Sequence, residues 1–463
     1  MRNVYCGKLV YVCGYLGIEV SIFLLSVLLT ITVFYLVARV AVGRRFGAWE
    51  YVLSWYLVIY CVSPIYMQLT DSGTWSLYDS EYMHSHSSLA AIYIAIGLIS
   101  LSIGYFVANE LPVSRLRVVC VSNANSFPSV VYLLVFVALL SFSVFVVSYG
   151  GLDYVVSNIS KIRTGVDERK NYFGAFVRMF VFYAELALFI AYAYLERGRS
   201  GGVRGQYLLK VMIGALFLVV VFKLYLDGGR AGFIELFIGL YFLSVFYSRK
   251  INVFAIFFIL AGCVVFVLFG KTLIFQLSNP SFDYSSWYSS HDLYIVDGVM
   301  REFSHQYLSL VMSLDGMYES RLFGDYWYWL FKWMRLFSMD APDSISYFNT
   351  YLATGVWESD IPPGVLAFSI FNGGAMLLPV HMVLLGGLVR VVEKLFLHEE
   401  YGSHPVVLSL GAVSVVNLDY FITNADPALI VQTNIPIIVF FLLFLFFGKI
   451  KFVLLRPSGG FSK

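Results

Sequence analysis

The sequence predicts an all-α polytopic membrane protein that crosses a bilayer about eleven times. Three observations lead there. Of the 463 residues, 59% are hydrophobic and only 13% are charged, about half the charged share of a soluble domain. The apolar residues come in unbroken runs of about twenty, which at roughly 1.5 Å rise per residue matches the hydrocarbon thickness of a bilayer. Lysine and arginine gather in every second connection between those runs. Lipid offers the backbone no partners, so the runs are helices, whose peptide groups pair internally. A soluble fold is excluded. The net charge of +2 gives no reason to expect a nucleic-acid partner. The cysteines (Cys6, Cys13, Cys61, Cys120, Cys263) lie in or beside apolar runs without paired spacing, neither a disulfide framework nor a metal site. The N-terminus lacks a cleavable signal and reads as mature chain.

The expected spans begin with Ile18–Val40, Tyr51–Gln68, Leu89–Val107, Val130–Tyr149 and Tyr172–Leu195. A close pair follows, Tyr207–Leu226 and Gly232–Tyr247, and then Ile251–Phe269. The last three are Gly364–Val391, Val406–Ile422 and Ala428–Phe447. Residues before Ile18 are also apolar, so the first helix is the least certain in extent. The whole chain, 1–463, is read as one transmembrane domain with residues 270–363 as a long inserted outer loop.

Orientation follows from the basic connections. Arg44 and Arg45, Arg115 and Arg117, the trio Arg197, Arg199 and Arg204, Arg249 with Lys250, and Arg390 with Lys394 form an alternating series. Lys449, Lys451 and Arg456 of the tail complete it. These face the cytoplasm, which leaves the N-terminus outside and the C-terminus inside. The opposite side holds two short connections, Asp227–Ala231 and Thr423–Pro427, and two of middling length, Thr70–Ser88 and Gly150–Asn171. It also holds the long loop between the eighth and ninth spans. Loops of that length are functional or disordered, and this one, rich in Trp, Tyr and Phe, is expected to fold. Its stretch Tyr326–Phe337 reads as an amphipathic interfacial helix.

A charge inside a span is expensive unless paired or hydrated, and so marks a site by default. Arg178, in Phe176-Val177-Arg178-Met179-Phe180, either snorkels to the outer headgroups or forms an anion site in an outer cavity. Asp227-Gly228-Gly229-Arg230-Ala231-Gly232 joins two helices by a very short turn. Gly228 and Gly229 let the backbone approach a ligand, and a helix start beside the Arg230 guanidinium suits a phosphate. The plainer reading is a tight turn with an interfacial arginine. In the long loop, Glu302 and His305 would share a helix face, as carboxylate and imidazole able to act as a general base, with Arg301 beside them. A solvated loop cluster explains them equally well. His84-Ser85-His86 lacks the third ligand of a metal site, and no metal or cofactor is expected. Lys161, Arg163, Arg169 and Lys170 form an outer charged run, either a solvated surface or an anion-recruiting rim. Lys223 and Glu235 are charges inside the sixth and seventh spans.

Several stretches, in order, carry a resemblance. They are Gly150-Gly151, Val177-Arg178-Met179-Phe180, Gly228-Gly229-Arg230-Ala231, Arg301-Glu302-Phe303-Ser304 and Ser346-Tyr347-Phe348-Asn349. The most specific is Pro362-Pro363-Gly364 running through Phe371-Asn372-Gly373-Gly374-Ala375. With many spans and a long outer loop before the last three, the chain resembles the O-antigen and enterobacterial common antigen polymerases (Wzy-type) from about residue 130 onward. One departure is Asn424-Ala425-Asp426-Pro427, which has no arginine where the family's pattern carries one.

The resemblance implies a metal-independent glycosyltransferase of GT-C-like architecture in the bacterial inner membrane, active on the periplasmic face. It would join undecaprenyl-diphosphate-linked oligosaccharide repeat units into surface polysaccharide, beside a chain-length-regulating copolymerase. Charge grows on the diphosphate leaving group, and without a metal arginines must stabilise it. Arg230 and Arg178 fill that role, with Arg301 next and Arg163, Arg169 and Asn372 as further substrate contacts. Glu302 or His305 would be the base, with Asp325 and Asp340 in reserve. An O-antigen ligase, using the same donor, is the nearest alternative. A lipid-linked oligosaccharide flippase is a different class, predicting polar groups through the membrane midplane.

Overall fold

A computed structural model of the chain describes residues 2–42, 47–70, 80–112, 116–120, 127–158, 162, 171–199, 206–227, 230–248, 261–262, 300, 303–314, 346, 349, 361–396, 404–447 and 449–454. Helices dominate them. Helix α1 is Arg2–Ala41. Helix α2 (Ala48–Leu57) passes through a π turn, Val58–Val62, into α3 (Ser63–Thr70), and α4 is Ser80–Val107. Strand β1 (Leu116–Cys120) is followed by α5 (Phe127–Ser148) and the short α6 (Leu152–Ser157). Helix α7 (Tyr172–Arg178) runs through a 3-10 turn, Met179–Phe182, into α8 (Tyr183–Arg199). Helices α9 (Gln206–Asp227), α10 (Arg230–Ser248), α11 (His305–Leu314), α12 (Gly364–Phe396), α13 (Pro405–Val416), α14 (Asp419–Thr423) and α15 (Pro427–Phe446) precede strand β2 (Ile450–Leu454).

Every expected span coincides with a helix or a run of helices except Ile251–Phe269, of which only residues 261 and 262 are described. Among the described residues, 7 helices are long and apolar enough to cross a membrane. Their large side chains point outward in numbers no aqueous surface tolerates: Phe34 is 75% exposed, Val147 76% and Met376 86%. The protein is a multi-pass membrane protein. At the N-terminus the residues before Ile18 extend the first span: α1 has 40 residues, about 60 Å of helix, twice a hydrocarbon core.

The expected ninth span is corrected. Gly364–Phe396 is not one straight helix: Gly373 (φ −172°, ψ 20°) and Gly374 (φ 66°, ψ −170°) break it. Beyond the break, the chain doubles back. Ser369 Oγ lies 2.8 Å from His381 Nδ1, and the Phe368 and His381 rings are 6.0 Å apart. In a continuous helix those residues would be separated by about 18 Å of rise. The short arm Gly364–Asn372 therefore folds back on the longer one, and the arm from Ala375 retains about 33 Å, enough to span. Gly374 allows the turn because its left-handed φ is open to glycine at little cost.

The chain forms two compact units. The first comprises Met1–Val107, His291–Val389 and Leu418–Ile430. In it α1 packs along α4, and Tyr56, buried between elements, donates its hydroxyl to the Ile94 carbonyl at 2.7 Å. Gly104 and Gly386 let α4 and α12 touch backbone to backbone: a Cβ on Gly104 would strike the Val383 carbonyl, and one on Gly386 the Leu101 carbonyl. Small residues give such close crossings in lipid, where packing replaces the hydrophobic drive. Glu50, 1% exposed, caps α2 through the Gly47 N–H and pairs with Arg39 at 2.6 Å.

The second unit comprises Ala108–Ser290, Arg390–Asn417 and Val431–Lys463. Helix α8 is its axis, with Leu186, Ala187, Phe189, Ile190 and Ala191 sealed against α5, α9, α10 and α13. Strands β1 and β2 pair antiparallel, Leu116 opposite Leu454 and Cys120 opposite Ile450. Within it Lys223 of α9 lies 3.6 Å from Glu185 of α8.

Candidate functional site

In the second unit the candidate residues stand where helices end. Gly150 and Gly151, with φ of 91° and 117°, terminate α5. Asn171 then starts α7, accepting from the Gly174 N–H at 2.8 Å and donating to the Ser148 carbonyl at 3.1 Å. Gly174 lies so close to Ser148 that a Cβ would meet its hydroxyl. This joint fixes α7 beside α5 and places the Arg178 guanidinium 5.5 Å over the Phe145 ring, a cation–π geometry. Arg178 is half-buried, and the 3-10 turn begins just after it. Arg230 is the first residue of α10. Gly228 and Gly229 lie outside the described residues, as do Arg163 and Arg169. Lys223, expected as a charge within its span, lies 3.6 Å from Glu185, an acid the sequence reading passed over.

In the first unit, stretches distant in sequence converge on Gly364. Helix α11 is buried from Gln306 to Ser313, so part of the long loop folds into the core. Phe303, just before it, meets Trp55 at 5.9 Å, and Ser63 donates to the Met300 carbonyl at 3.3 Å. Gln68 donates to the Tyr307 hydroxyl at 2.7 Å. Burial pushes that hydroxyl's pKa above the ordinary range, and the Gln68 contact lowers it in part, so Tyr307 stays neutral. Asn349, 1% exposed, donates to Ser309 Oγ at 3.0 Å and to the Ile361 carbonyl at 3.4 Å. It thereby ties the chain entering Pro362-Pro363-Gly364 to α11. Gln306 donates to the Thr423 carbonyl at 3.4 Å. Asn372, fully buried, donates to the Phe368 carbonyl at 2.9 Å, closing the last turn before the glycine break.

His305 opens α11, and Glu302, its expected helix partner, lies outside the described residues. So do Arg301, Tyr326–Phe337, Asp325 and Asp340. Arg178 and Arg230 belong to the second unit, and His305 and Asn372 to the first. The sequence reading missed Tyr60, Gln306 and the buried acids Asp419 (6% exposed) and Asp426 (3%). Asp426 lies in the connection set aside for lacking an arginine. A carboxylate at the mouth of a span was signal enough. Tyr60 gave none, being a neutral residue in apolar surroundings, and Gln306, at the end of the polar run from Arg301 to His305, carried no charge of its own. Among the described residues no group of three or more His, Cys, Asp or Glu is placed to hold a metal ion. Set against models of known protein families, curated proteins and solved structures, the chain matches none.

Proposed function

We propose that the protein is a polymerase of lipid-diphosphate-linked oligosaccharide repeat units, a GT-C-like enzyme of the bacterial inner membrane working on its periplasmic side with about eleven spans. The observation that carries the reading is the convergence on Gly364. Stretches around Phe303, Asn349, Ile361 and Asn372, which carry the resemblance to Wzy-type polymerases, gather in one unit although long segments of chain separate them. Neutral hydrogen-bonding groups buried in a membrane protein are expensive unless they serve a substrate or a structure.

In the proposed reaction an acceptor sugar hydroxyl attacks the anomeric carbon of the growing chain. The bond from that carbon to the diphosphate oxygen breaks, and undecaprenyl diphosphate leaves with the electron pair. The hydroxyl proton passes to a base, for which Glu302 and His305 stand first and Asp426 is a further candidate. Arg230 and Arg178 stabilise the leaving charge, and a chain-length-regulating copolymerase is the expected partner.

One observation favours a second reading. The Glu185–Lys223 pair lies within apolar helices, where a lipid-linked oligosaccharide flippase would keep polar groups. A single experiment separates them. The chain, and its Arg230→Ala and Arg178→Ala variants, is expressed with the matching repeat-unit pathway in a host deleted for its own polymerase. Wild type is expected to yield a polysaccharide ladder, and each variant, at equal membrane levels, to lose it by about a hundredfold or more. A wild type that gives no ladder while lipid-linked units still reach the periplasm sinks the polymerase. Units that stay cytoplasmic unless the chain is present establish the flippase.

A further inference from the structure

We propose that the end of α15 and strand β2 form a docking surface for an anionic phospholipid, with Lys449 and Lys451 on its phosphate and Phe446, Phe447 and Phe452 against its acyl region.

The chain after α15 does not run straight away from the helix. The Phe447 N–H donates to the Leu443 carbonyl and the Lys449 N–H to the Phe444 carbonyl, both at 2.9 Å, which closes the last turn. Ile450 comes next and is 1% exposed, in a cluster with Val118 of β1 and Val407 of α13 against which Phe441, Phe444 and Leu445 of α15 pack. Strand β2 is thereby folded back under the helix it follows. Further on, the Phe452 ring lies 5.7 Å from that of Phe441, a residue about 7.5 Å of rise before the end of α15. Phe452 therefore stands beside the final turns of an apolar helix, not out in the water.

The register gives the sheet two unlike faces. Ile450 and Phe452 share one with Val118, and Lys451 and Val453 share the other with Val119 and Arg117. The apolar face is the one turned to α13 and α15. Open strand edges cannot enter hydrocarbon. Rings as exposed as Phe446 at 84%, Phe447 at 67% and Phe452 at 45% do not sit together in water. Both conditions are met where hydrocarbon gives way to headgroups.

Charge selects the lipid. Other cations of the described residues are answered within the protein: Arg39 pairs with Glu50 at 2.6 Å and Arg390 with Glu393 at 3.1 Å. Lys449 and Lys451 are exposed and, among the described residues, have neither an ion pair nor a side-chain hydrogen bond. No more than about 7 Å of extended chain separates them, so both reach one phosphate. Arg117, 4% exposed, strengthens the field without offering a contact. A helix C-terminus also attracts cations, which accounts for Lys449 but not for Lys451 on the strand. A zwitterionic headgroup brings its own ammonium and gains little here. A phosphatidylglycerol phosphate arrives without one, and lysine meets it as a point charge.

The test uses the full chain in detergent micelles doped with phosphatidylglycerol or phosphatidylcholine, with bound lipid counted by native mass spectrometry. Wild type is expected to hold phosphatidylglycerol the more tightly, each lysine contributing about fivefold. Lys449→Gln with Lys451→Gln is expected to weaken the tightest phosphatidylglycerol site about twentyfold, to leave phosphatidylcholine within about twofold, and to melt as wild type in lipid-free detergent. Phe452→Ala is expected to weaken both lipids alike, about threefold. Unchanged phosphatidylglycerol affinity in the double variant, or equal loss of both lipids, overturns the site. Displacement of phosphatidylglycerol by inorganic phosphate makes it a site for soluble anions and overturns the lipid. Should the double variant fail to accumulate, Lys451→Gln decides by the same criteria at about fivefold. A Phe452→Ala protein that binds both lipids as wild type does removes the sheet from the interface and the proposal with it.

Discussion

Around Gly364 the first unit buries neutral groups, with Tyr60, Gln306, Ser309 and Asn349 exchanging hydrogen bonds among themselves and with the backbone. Along α8 and α9 the second unit buries ions, Glu185 against Lys223, with Arg178 laid over Phe145 a little earlier in the chain. Both solutions hold polar atoms in a low-dielectric medium, but they fail differently. A neutral hydrogen bond that is lost leaves a group with a modest desolvation penalty. An ion that loses its counterion is left with one of several kcal/mol. The units also differ in how their helices approach: α4 and α12 touch through glycine backbones, while Gly214 of α9 faces open space, with nothing within 4 Å of an added Cβ.

The largest expected effect tests that last contrast. Gly104→Leu forces a side chain onto the Val383 carbonyl and is expected to remove more than about 4 kcal/mol, so that little folded protein accumulates. Gly214→Leu should leave membrane levels and thermal melting unchanged. Equal behaviour of the two glycines would erase the distinction.

Next is the ion pair. Lys223→Met strands Glu185 and is expected to destabilise the protein by about 3 kcal/mol in melting experiments, whereas the double change Lys223→Met with Glu185→Gln recovers most of it. A single variant as stable as wild type would mean that the pair is hydrated and worth little. In the first unit, Asn349→Ala removes two neutral hydrogen bonds and is expected to cost about 2 kcal/mol. A loss as large as that at Lys223 would contradict the difference drawn between the units.

The smallest effect belongs to His404, just outside the span it caps. Its Nδ1 accepts from the Val406 N–H at 3.3 Å, and burial, with the Arg197 charge nearby, lowers its pKa below the ordinary 6.5. As pH falls through 6.5 the unfolded chain takes up a proton and the folded one does not, so this contribution is complete above that pH and drains away below it. His404→Ala is expected to cost about 1 kcal/mol at pH 7.5 and to flatten the loss of stability on going to pH 5.5. Parallel pH curves for wild type and variant would remove the role.

The helices were legible because a bilayer imposes one length and one polarity on every span, and Tyr207–Leu226 or Ala428–Phe447 can be recognised without any partner. The break in the ninth span was harder. Gly373-Gly374 was noted as a motif, but a pair of glycines in an apolar run is equally compatible with a straight helix. Only the return of His381 onto Ser369, a contact between residues that a straight helix keeps apart, distinguishes the two. The pairing of Lys223 with Glu185 was hidden for a similar reason: the charges sit on separate helices, and sequence spacing does not encode which faces meet. Arg178 and Arg230 were singled out as candidates by type and position, which needed no packing at all.

The two-stranded sheet carries an arithmetic consequence. Unpaired strand edges are not tolerated in hydrocarbon, so β1 and β2 lie outside it, and their hydrogen bonds put the connection after α4 and the tail after α15 on one face of the bilayer. Any chain that leaves a face and returns to it has crossed an even number of times. The expected spans from Val130–Tyr149 to Ala428–Phe447 are even in number, the parity that such a pairing asks for.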